Sequence, residues 1–141
     1  MTDKTAEAAD VSPNGDLVIR ITAMPADTNP AGDIFGGWLM WNMDLAASSV
    51  ANSRARSRCV TAAVEGMSFL QKVRVGDEVS FYAQCLSVGR TSMKISVEAW
   101  RRRREGVEMY QVTHATFICV AMDEAGNPRL VDAPQAVTAS N

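Results

Sequence analysis

The sequence has little charge imbalance and no long apolar run. Its 14 basic and 16 acidic residues give a net charge of −2, so no global basic field indicates a nucleic-acid partner. No basic start followed by an apolar stretch marks a secretory signal, and no run approaches the roughly 18 apolar residues of a membrane span. We therefore expect a cytoplasmic protein that binds neither nucleic acid nor a membrane.

Cysteine and histidine are also scarce. Cys59, Cys85 and Cys119 are odd in number, widely spaced and set in apolar segments, which favours buried reduced thiols over a disulfide framework. The single histidine, His114, has no Ser or Cys nucleophile pattern near it, and no metal-ligand spacing occurs. We expect neither a metal nor a cofactor.

The length and composition suit one domain. Of the 141 residues, 47% are hydrophobic, which is enough to build a single core. We predict a flexible N-terminal tail at residues 1–15, one domain at residues 16–131, and a loose C-terminal tail at residues 132–141.

The stretch from residue 29 to residue 52 organises the rest of the chain. Turn residues and the Gly36-Gly37 pair lead into a mostly apolar segment whose hydrophobic residues recur at helical spacing and fill nearly the whole circumference. We expect the rest of the domain to wrap such a helix. One acid, Asp44, lies within it, where desolvation is costly. It is either a well-satisfied structural residue or a working one.

One strand pattern precedes this helix and several follow it. Alternation from Leu17 to Thr22 predicts the first strand, and a basic polar connector is expected at residues 53–58. The later strands are predicted at residues 59–69, 79–88, 93–102 and 109–122, and hairpin-sized turns join them. This order indicates an α+β fold, in which an antiparallel sheet curves around one long helix.

Five motifs occur in a fixed order across the chain. They are MPADTNPAGDIFGG at 24–37, Met-Asp at 43–44, VEGMSFL at 64–70, Val-Gly-Asp at 75–77 and VGRTS at 88–92. Over roughly residues 16–130 they resemble the hotdog-fold acyl-CoA thioesterases of the YciA type. The resemblance implies a hotdog fold and hydrolysis of acyl-CoA to free acid and coenzyme A. It also implies obligate dimers, assembled further as dimers of dimers or trimers of dimers.

The Gly36-Gly37 pair has a chemical interpretation beside a structural one. Backbone N–H groups at a helix start lack intrahelical partners, and the helix dipole adds positive character there. Thioester hydrolysis needs such donors to stabilise oxyanion charge. The resemblance gives this role to the N–H of Gly37 and places Gly36 beside it in the substrate site. The alternative is a glycine pair required only for close strand–helix packing.

Asp44 and Gly37 are too far apart to act on one carbonyl within a single chain. Seven residues separate them, which is nearly two helical turns and about 10 Å along the axis. One carbonyl carbon cannot lie ~3 Å from both. The base and the oxyanion donor should therefore come from different chains, with antiparallel helices across a dimer interface.

The resemblance pairs Asp44 with Asn29 of the other chain. It makes Asp44 the general base or the nucleophile, and the sequence does not decide between them. Asn29 would polarise the carbonyl or orient the water. The structural alternatives are an Asp bonded to backbone amides and an Asx turn at Asn29, since the Asn-Pro-Ala-Gly context favours turns.

The turn at residues 89–92 is the candidate surface for coenzyme A. It consists of Gly89, Arg90, Thr91 and Ser92. Arginine binds phosphate through two parallel hydrogen bonds, and the resemblance places coenzyme A at this turn. A plain β-turn is the alternative. The segment expected to line the pantetheine channel comprises Ser68, Phe69 and Leu70.

Two further features leave alternatives open. The run from Arg101 to Arg104, followed by Glu105-Gly106, indicates a solvated hairpin end, although it could assist with coenzyme A phosphates. The family helix often has glycines after the acid, whereas here residues 46–49 are Ala-Ala-Ser-Ser, so acyl chain length is undetermined.

Two other functions compete with thioester hydrolysis. The sites of hotdog hydratases and dehydratases resemble an Asp/His or His/Glu pair on the helix. The helix predicted here contains no histidine. A non-catalytic CoA- or acyl-sensing module would keep the binding turn, but it would not need both Asn29 and Asp44.

Overall fold

The computed structural model describes residues 12–134. In chain order the elements are β1 (Asp16–Thr22), a 3-10 turn (Pro25–Asp27), α1 (Gly36–Ala55), β2 (Cys59–Phe69), β3 (Glu78–Val88), β4 (Ser92–Arg102) and β5 (Met109–Ala121). The five strands form one antiparallel sheet in the order β1-β3-β4-β5-β2. The predicted α+β architecture, one long helix against an antiparallel sheet, is confirmed.

One face of α1 packs against the sheet. Its buried residues recur at helical spacing and are mostly small or flexible: Leu39, Asn42, Met43, Ala46, Ala47, Ala51 and Ala55. Alternate residues of the central strands meet them, among them Phe81, Ile95 and Phe117. Because alanine has a short side chain, the helix can approach the sheet closely.

The opposite face of α1 is open, so the prediction that its own domain wraps the whole helix is wrong. Met40, Trp41 and Leu45 are 44%, 70% and 52% exposed. The sheet ends at β2, which pairs only with β5 among the described strands. Residues 62–66, in the middle of β2, are exposed as well. One subunit therefore leaves an apolar helix face beside a free strand edge.

The helix is also longer than predicted. Residues 53–55, expected in the basic connector, form its last turn. Arginine is a good helix former, and nothing at these positions stops the helix. It ends where Arg56 adopts a left-handed conformation with φ of 52°.

The arginine run is not a solvated hairpin end. Arg101 is only 7% exposed, donates from Nη2 to Gln71 Oε1 at 2.8 Å, and lies 5.1 Å from the ring centre of Tyr110. The next two arginines form ion pairs with the start of β3: Arg102 with Glu78 and Arg103 with Asp77. These pairs tie the ends of β3 and β4 together, which explains why the run is drawn inward.

Both predicted tails extend beyond the described residues, since residues 1–11 and 135–141 lie outside them. Asn14 donates to Glu98 from its backbone N at 3.2 Å and from Nδ2 at 2.9 Å. Val131 is buried, and Asp132 accepts from Arg54 at 2.8 Å. Within residues 12–134 no helix is long and apolar enough to cross a membrane.

Candidate active site

Asp44 lies on the open side of α1. Its Oδ1 accepts a hydrogen bond from Thr61 Oγ1 of β2 at 2.5 Å. The carboxylate is exposed in the single subunit, so the desolvation expected from the sequence is absent there. Within residues 12–134, Oδ2 has no hydrogen-bond partner and is available to a ligand.

Thr61 is a functional candidate that sequence reasoning missed. It lies in a strand whose β-branched residues give it no distinguishing feature. Only the packing of α1 beside β2 shows that its hydroxyl meets Asp44.

Cys119 lies behind this site. It is the partner of Thr61 on β5, is 1% exposed, and has a pKa raised by burial to about 11. The three cysteines are free thiols, Cys119 buried and the other two half-buried.

The first two N–H groups of α1 have no acceptor among the residues that the structure describes. Phe35, at the N-cap, makes no side-chain capping bond, and the hydrogen bonds to its carbonyl begin only at Trp38 N and Leu39 N. Among the described residues, neither Gly36 N–H nor Gly37 N–H has an acceptor. Both groups are therefore free to bind developing negative charge.

Packing within one subunit does not require glycine at either position. A Cβ added to Gly36 would make ordinary contact with the Phe69 ring at 3.4 Å, and one added to Gly37 would meet nothing within 4 Å. Neither residue has a positive φ. The close-packing alternative therefore finds no support within the subunit, and the space beside the Gly37 Cα is open.

Asn29 forms the Asx turn that was the structural alternative. Its Oδ1 accepts from Ala31 N at 2.9 Å and from Asp33 N at 3.1 Å. Backbone N–H groups can donate only to the oxygen of the side-chain amide and not to its nitrogen. These two bonds therefore also fix which way the Asn29 amide is turned. Nδ2 is left without an acceptor in the part of the chain that the structure describes. The Asx turn uses only the amide oxygen of Asn29 and leaves Nδ2 to donate to a ligand. Asn29 can therefore form the turn and also take the predicted role in the active site.

The segment at residues 68–70 lies beside the start of α1. Phe69 faces Gly36, as the contact above shows, and is 51% exposed. Ser68 accepts at its carbonyl from Thr113 Oγ1 at 2.6 Å, and Leu70 N donates to Val112 O at 2.6 Å. The predicted channel residues are therefore fixed through their backbone, while the side chains of Phe69 and Leu70 remain exposed.

The turn at residues 89–92 lies at the other end of the sheet. Gly89 N donates to Ser92 O at 2.7 Å, which closes the turn. The Arg90 side chain is exposed and has no partner within residues 12–134, although its carbonyl accepts from Val131 N at 2.8 Å. The carbonyl of Thr91 likewise accepts from Ala121 N at 2.9 Å. The turn is thus anchored through its backbone and leaves the guanidinium free.

Strand register shows which candidates one subunit brings together. Ser92 pairs with Val120, whose other neighbour, Val60, precedes Thr61, so the turn lies on the Asp44 side. Phe69 instead pairs with Thr113, seven residues from Val120, or about 23 Å along β5. A single subunit therefore groups the turn with Asp44, and residues 68–70 with the Gly36-Gly37 end of α1.

Gly37 and Asp44 line one open groove of about 340 Å³. Its other walls are mostly apolar: Met40, Trp41, Thr61, Val64 and Phe117. A groove with apolar walls, one carboxylate and a free N–H suits a ligand with an apolar chain and a polar reactive group. A second cavity of about 410 Å³, near the end of β1 and the start of β3, is lined by Arg102 and Arg104 of the arginine run but by none of the residues predicted for the catalytic site or the 89–92 turn.

Known proteins resemble this chain in sequence. The sequence profile of the thioesterase superfamily matches residues 31–108, and the chain belongs to this superfamily. Within it, the chain is 50% identical over 123 residues to the acyl-CoA thioester hydrolase YciA of Salmonella typhimurium, covering 85% of this chain and 92% of that one. The predicted family resemblance is confirmed.

Two solved structures extend the match to the fold. The hexameric thioesterase y2039 from Yersinia pestis is 48% identical with a TM-score of 0.83, covering 87% of this chain and 100% of that chain. Cj0915, a hexameric hotdog fold thioesterase of Campylobacter jejuni, is 37% identical with a TM-score of 0.75, covering 82% and 90%. The predicted hotdog fold is therefore confirmed.

Proposed function

We propose that this protein is an acyl-CoA thioesterase that hydrolyses acyl-CoA to a free carboxylic acid and coenzyme A. The observation that carries this proposal is the Asp44 carboxylate, held by Thr61 in an apolar groove that Gly37 also lines. The Salmonella relative, an acyl-CoA thioester hydrolase, supports the substrate class. Coenzyme A enters as part of the substrate, and the free thiols suit the reducing cytoplasm in which we expect the enzyme to act.

Two chemical routes use the same residues. As a general base, Asp44 takes a proton from water, the hydroxide oxygen attacks the thioester carbon, and the C–S bond breaks as the oxyanion collapses. As a nucleophile, Asp44 forms a mixed anhydride that water then hydrolyses. In both routes Gly37 N–H bonds the oxyanion, and Asn29 Nδ2 donates to the carbonyl oxygen or to the water. The coenzyme A thiolate leaves and is protonated.

Each active site would combine two subunits. On one α1 helix Gly37 and Asp44 lie about 10 Å apart along the axis, so they cannot serve one carbonyl. Two antiparallel helices placed side by side would bring Gly37 of one subunit opposite Asp44 of the other. Each site would then take Asp44 and the 89–92 turn from one subunit, and Asn29, Gly37 and residues 68–70 from its partner.

The surface of the subunit supports such a pairing. The apolar side chains on the open face of α1 lie beside the free edge of β2. An exposed strand edge is a template for pairing, and a contiguous apolar patch marks an interface. Two copies related by a two-fold axis would cover both features. Because the Yersinia and Campylobacter relatives are hexameric, we favour further assembly as a trimer of dimers over a dimer of dimers.

Release of coenzyme A tests the activity directly. We expect the purified protein to release thiol, detected with a chromogenic disulfide, from at least one of acetyl-, butyryl-, octanoyl- and palmitoyl-CoA. Asp44→Asn is the matched control, since it removes the charge and nearly preserves the volume. Its kcat should fall at least ~100-fold while circular dichroism stays unchanged. Absence of release from every substrate would contradict the proposal.

Mixing two inactive variants tests the shared site. Asn29→Ala and Asp44→Ala should each be nearly inactive alone. In a mixed dimer one site loses both residues and the other keeps both. With random pairing about half of the dimers are mixed, so recovery should approach roughly a quarter of wild-type activity if sites are independent.

A mixture of Asp44→Ala with Asp44→Asn is the control, because these variants share their defect and should recover nothing. Subunit exchange is checked by mass spectrometry of differently tagged chains. Exchange without recovery in the first mixture would show that the two residues act within one chain, or that one of them is not catalytic.

A further inference from the structure

Trp41 occupies a position in the groove that the reaction itself does not explain. Its indole is 70% exposed, more than any other large apolar side chain of α1. It follows Gly37 by four residues and precedes Asp44 by three, so all three lie on one stripe of the helix. The side chain therefore stands between the two reactive positions that one helix contributes.

Two features are consistent with a two-fold axis near this side chain. The first rests on the proposed two-subunit site: if Gly37 of each helix faces Asp44 of the other, the two-fold axis passes their midpoint, between Met40 and Trp41. The second is the free strand edge, since β2 runs from residue 59 to residue 69 and its middle residue is Val64. Val64 lines the same groove, so symmetric edge pairing would put the axis in the same place.

The walls of the groove indicate where an acyl chain would lie. On the axis side of Asp44 the groove is lined by the apolar residues Met40, Trp41, Val64 and Phe117. On the other side lie Thr61 and, two strands away, the turn proposed to bind coenzyme A. An acyl chain attached at the reacting carbonyl would therefore extend toward the axis, which is only about 5 Å away along the helix.

We propose that the Trp41 side chains of two subunits meet at this axis and close the groove between the two active sites. Trp41 is then the residue that limits acyl chain length, so that short-chain acyl-CoA thioesters are preferred over longer ones. The indole side chains fill the space that each methylene beyond this limit would need, so longer acyl chains are excluded by steric overlap.

Chain-length profiles test this assignment. We expect wild-type kcat/KM to be higher for butyryl-CoA than for octanoyl-CoA. Trp41→Ala should raise the octanoyl-to-butyryl ratio at least ~10-fold, because each methylene newly buried is worth roughly fourfold. Trp41→Leu, which keeps an apolar contact, should give an intermediate ratio. Leu45→Ala changes the same open helix face but not the groove, so its ratio should match wild type.

An unchanged ratio in Trp41→Ala and Trp41→Leu, with dimers retained in size-exclusion chromatography, would overturn the assignment. If Trp41→Ala dissociates, the Trp41→Leu ratio decides the question. A wild-type preference for octanoyl- or palmitoyl-CoA would also overturn it. Absence of hydrolysis of any acyl-CoA by the wild type would instead contradict the proposed function.

Cross-linking tests the axis separately. The two Trp41 positions would lie ~1.5 Å apart along the helices, whereas the two Ser49 positions would lie about 25 Å apart. Trp41→Cys treated with a copper–phenanthroline oxidant should therefore give a covalent dimer on a non-reducing gel. Ser49→Cys, on an exposed position of the same helix, should give none above the wild-type background. Equal cross-linking of the two variants would place the axis elsewhere.

Discussion

The hydrogen bond from the Thr61 hydroxyl to Asp44 gives the most direct test of the candidate active site. It is the hydrogen-bond partner that the described residues provide for the Asp44 carboxylate, at 2.5 Å. Thr61→Val replaces the hydroxyl with a methyl group and keeps the branched shape that a strand favours. The substitution therefore removes the hydrogen bond to Asp44 while the strand and the groove wall stay in place.

The expected magnitude follows from the charge on the acceptor. Hydrogen bonds to charged groups contribute about 1.5–3 kcal/mol, which corresponds to roughly 10- to 150-fold in rate if the bond orients Asp44 in the transition state. Asp44 is exposed in one subunit, which favours the lower part of this range. A partner helix lying over the groove would exclude water and move the effect upward.

Steady-state kinetics on butyryl-CoA, with Thr61→Ser as the control, measures the effect. Thr61→Val should lower kcat at least ~10-fold with little change in KM, because the hydroxyl acts on Asp44 and not on coenzyme A. Thr61→Ser keeps the donor and should retain most of the activity. A Thr61→Val enzyme within threefold of wild type, or equal losses in both variants, would refute the positioning role.

Four further predictions concern other parts of the subunit. Gly37→Ala should lower kcat ~100-fold through obstruction of the N–H, yet leave the melting temperature unchanged, since an added Cβ meets nothing within 4 Å. Arg90→Ala should raise KM for acyl-CoA by roughly 10- to 150-fold with kcat little changed, which a titration of coenzyme A by calorimetry would confirm. Arg103→Met leaves Asp77, 2% exposed, without its cationic partner but with its hydrogen bond from Arg74 N, so urea denaturation should show roughly 1–3 kcal/mol less stability. Burial raises the pKa of Cys119 from 9.0 to about 11, so the unfolded chain loses that proton first; stability in urea should fall from pH 9 to pH 11, and Cys119→Val should flatten that fall.

Local patterns in the sequence were sufficient to predict the elements of the fold. Alternation of apolar and polar residues predicted the first strand and the strand at 93–102, because a side-chain period of two is a direct consequence of strand geometry. The strand at 59–69 was predicted from its β-branched and small residues. The helix was predicted from its spacing, although its end was placed three residues early. Its last turn contains polar residues, and a polar helix end cannot be told from a connector by periodicity alone.

The spacing of apolar residues in the sequence could not show what covers the face of α1 that points away from the sheet. A helix that is apolar nearly all round is buried, but the burial can come from its own domain or from another chain. The exposure of Trp41 and Leu45 shows that the five strands cover only one side. The fold of one subunit thus accounts for only part of the apolar pattern of α1, and the proposed dimer would account for the rest.

Sequence patterns also could not predict contacts between elements that are far apart in the chain. The arginine run, followed by Glu105-Gly106, indicates a solvated hairpin end, yet Asp77 and Glu78 at the start of β3 pair with two of its members. Thr61 is an ordinary strand residue until α1 places Asp44 beside it, 17 residues away in sequence. Both cases depend on strand register, which single-sequence periodicity does not fix.

Helix geometry links the chemistry to the assembly. A rigid helix holds Gly37 and Asp44 about 10 Å apart, and no rotation of side chains brings both to one carbonyl. The same separation becomes useful when a second helix runs antiparallel, because each subunit then supplies the half that the other lacks. The open apolar face of α1 and the free edge of β2 lie next to these residues, so in the proposed dimer the contact that buries them would also complete both sites. Catalytic competence and subunit association would then be parts of one equilibrium, and ligand bound across the interface would stabilise the dimer.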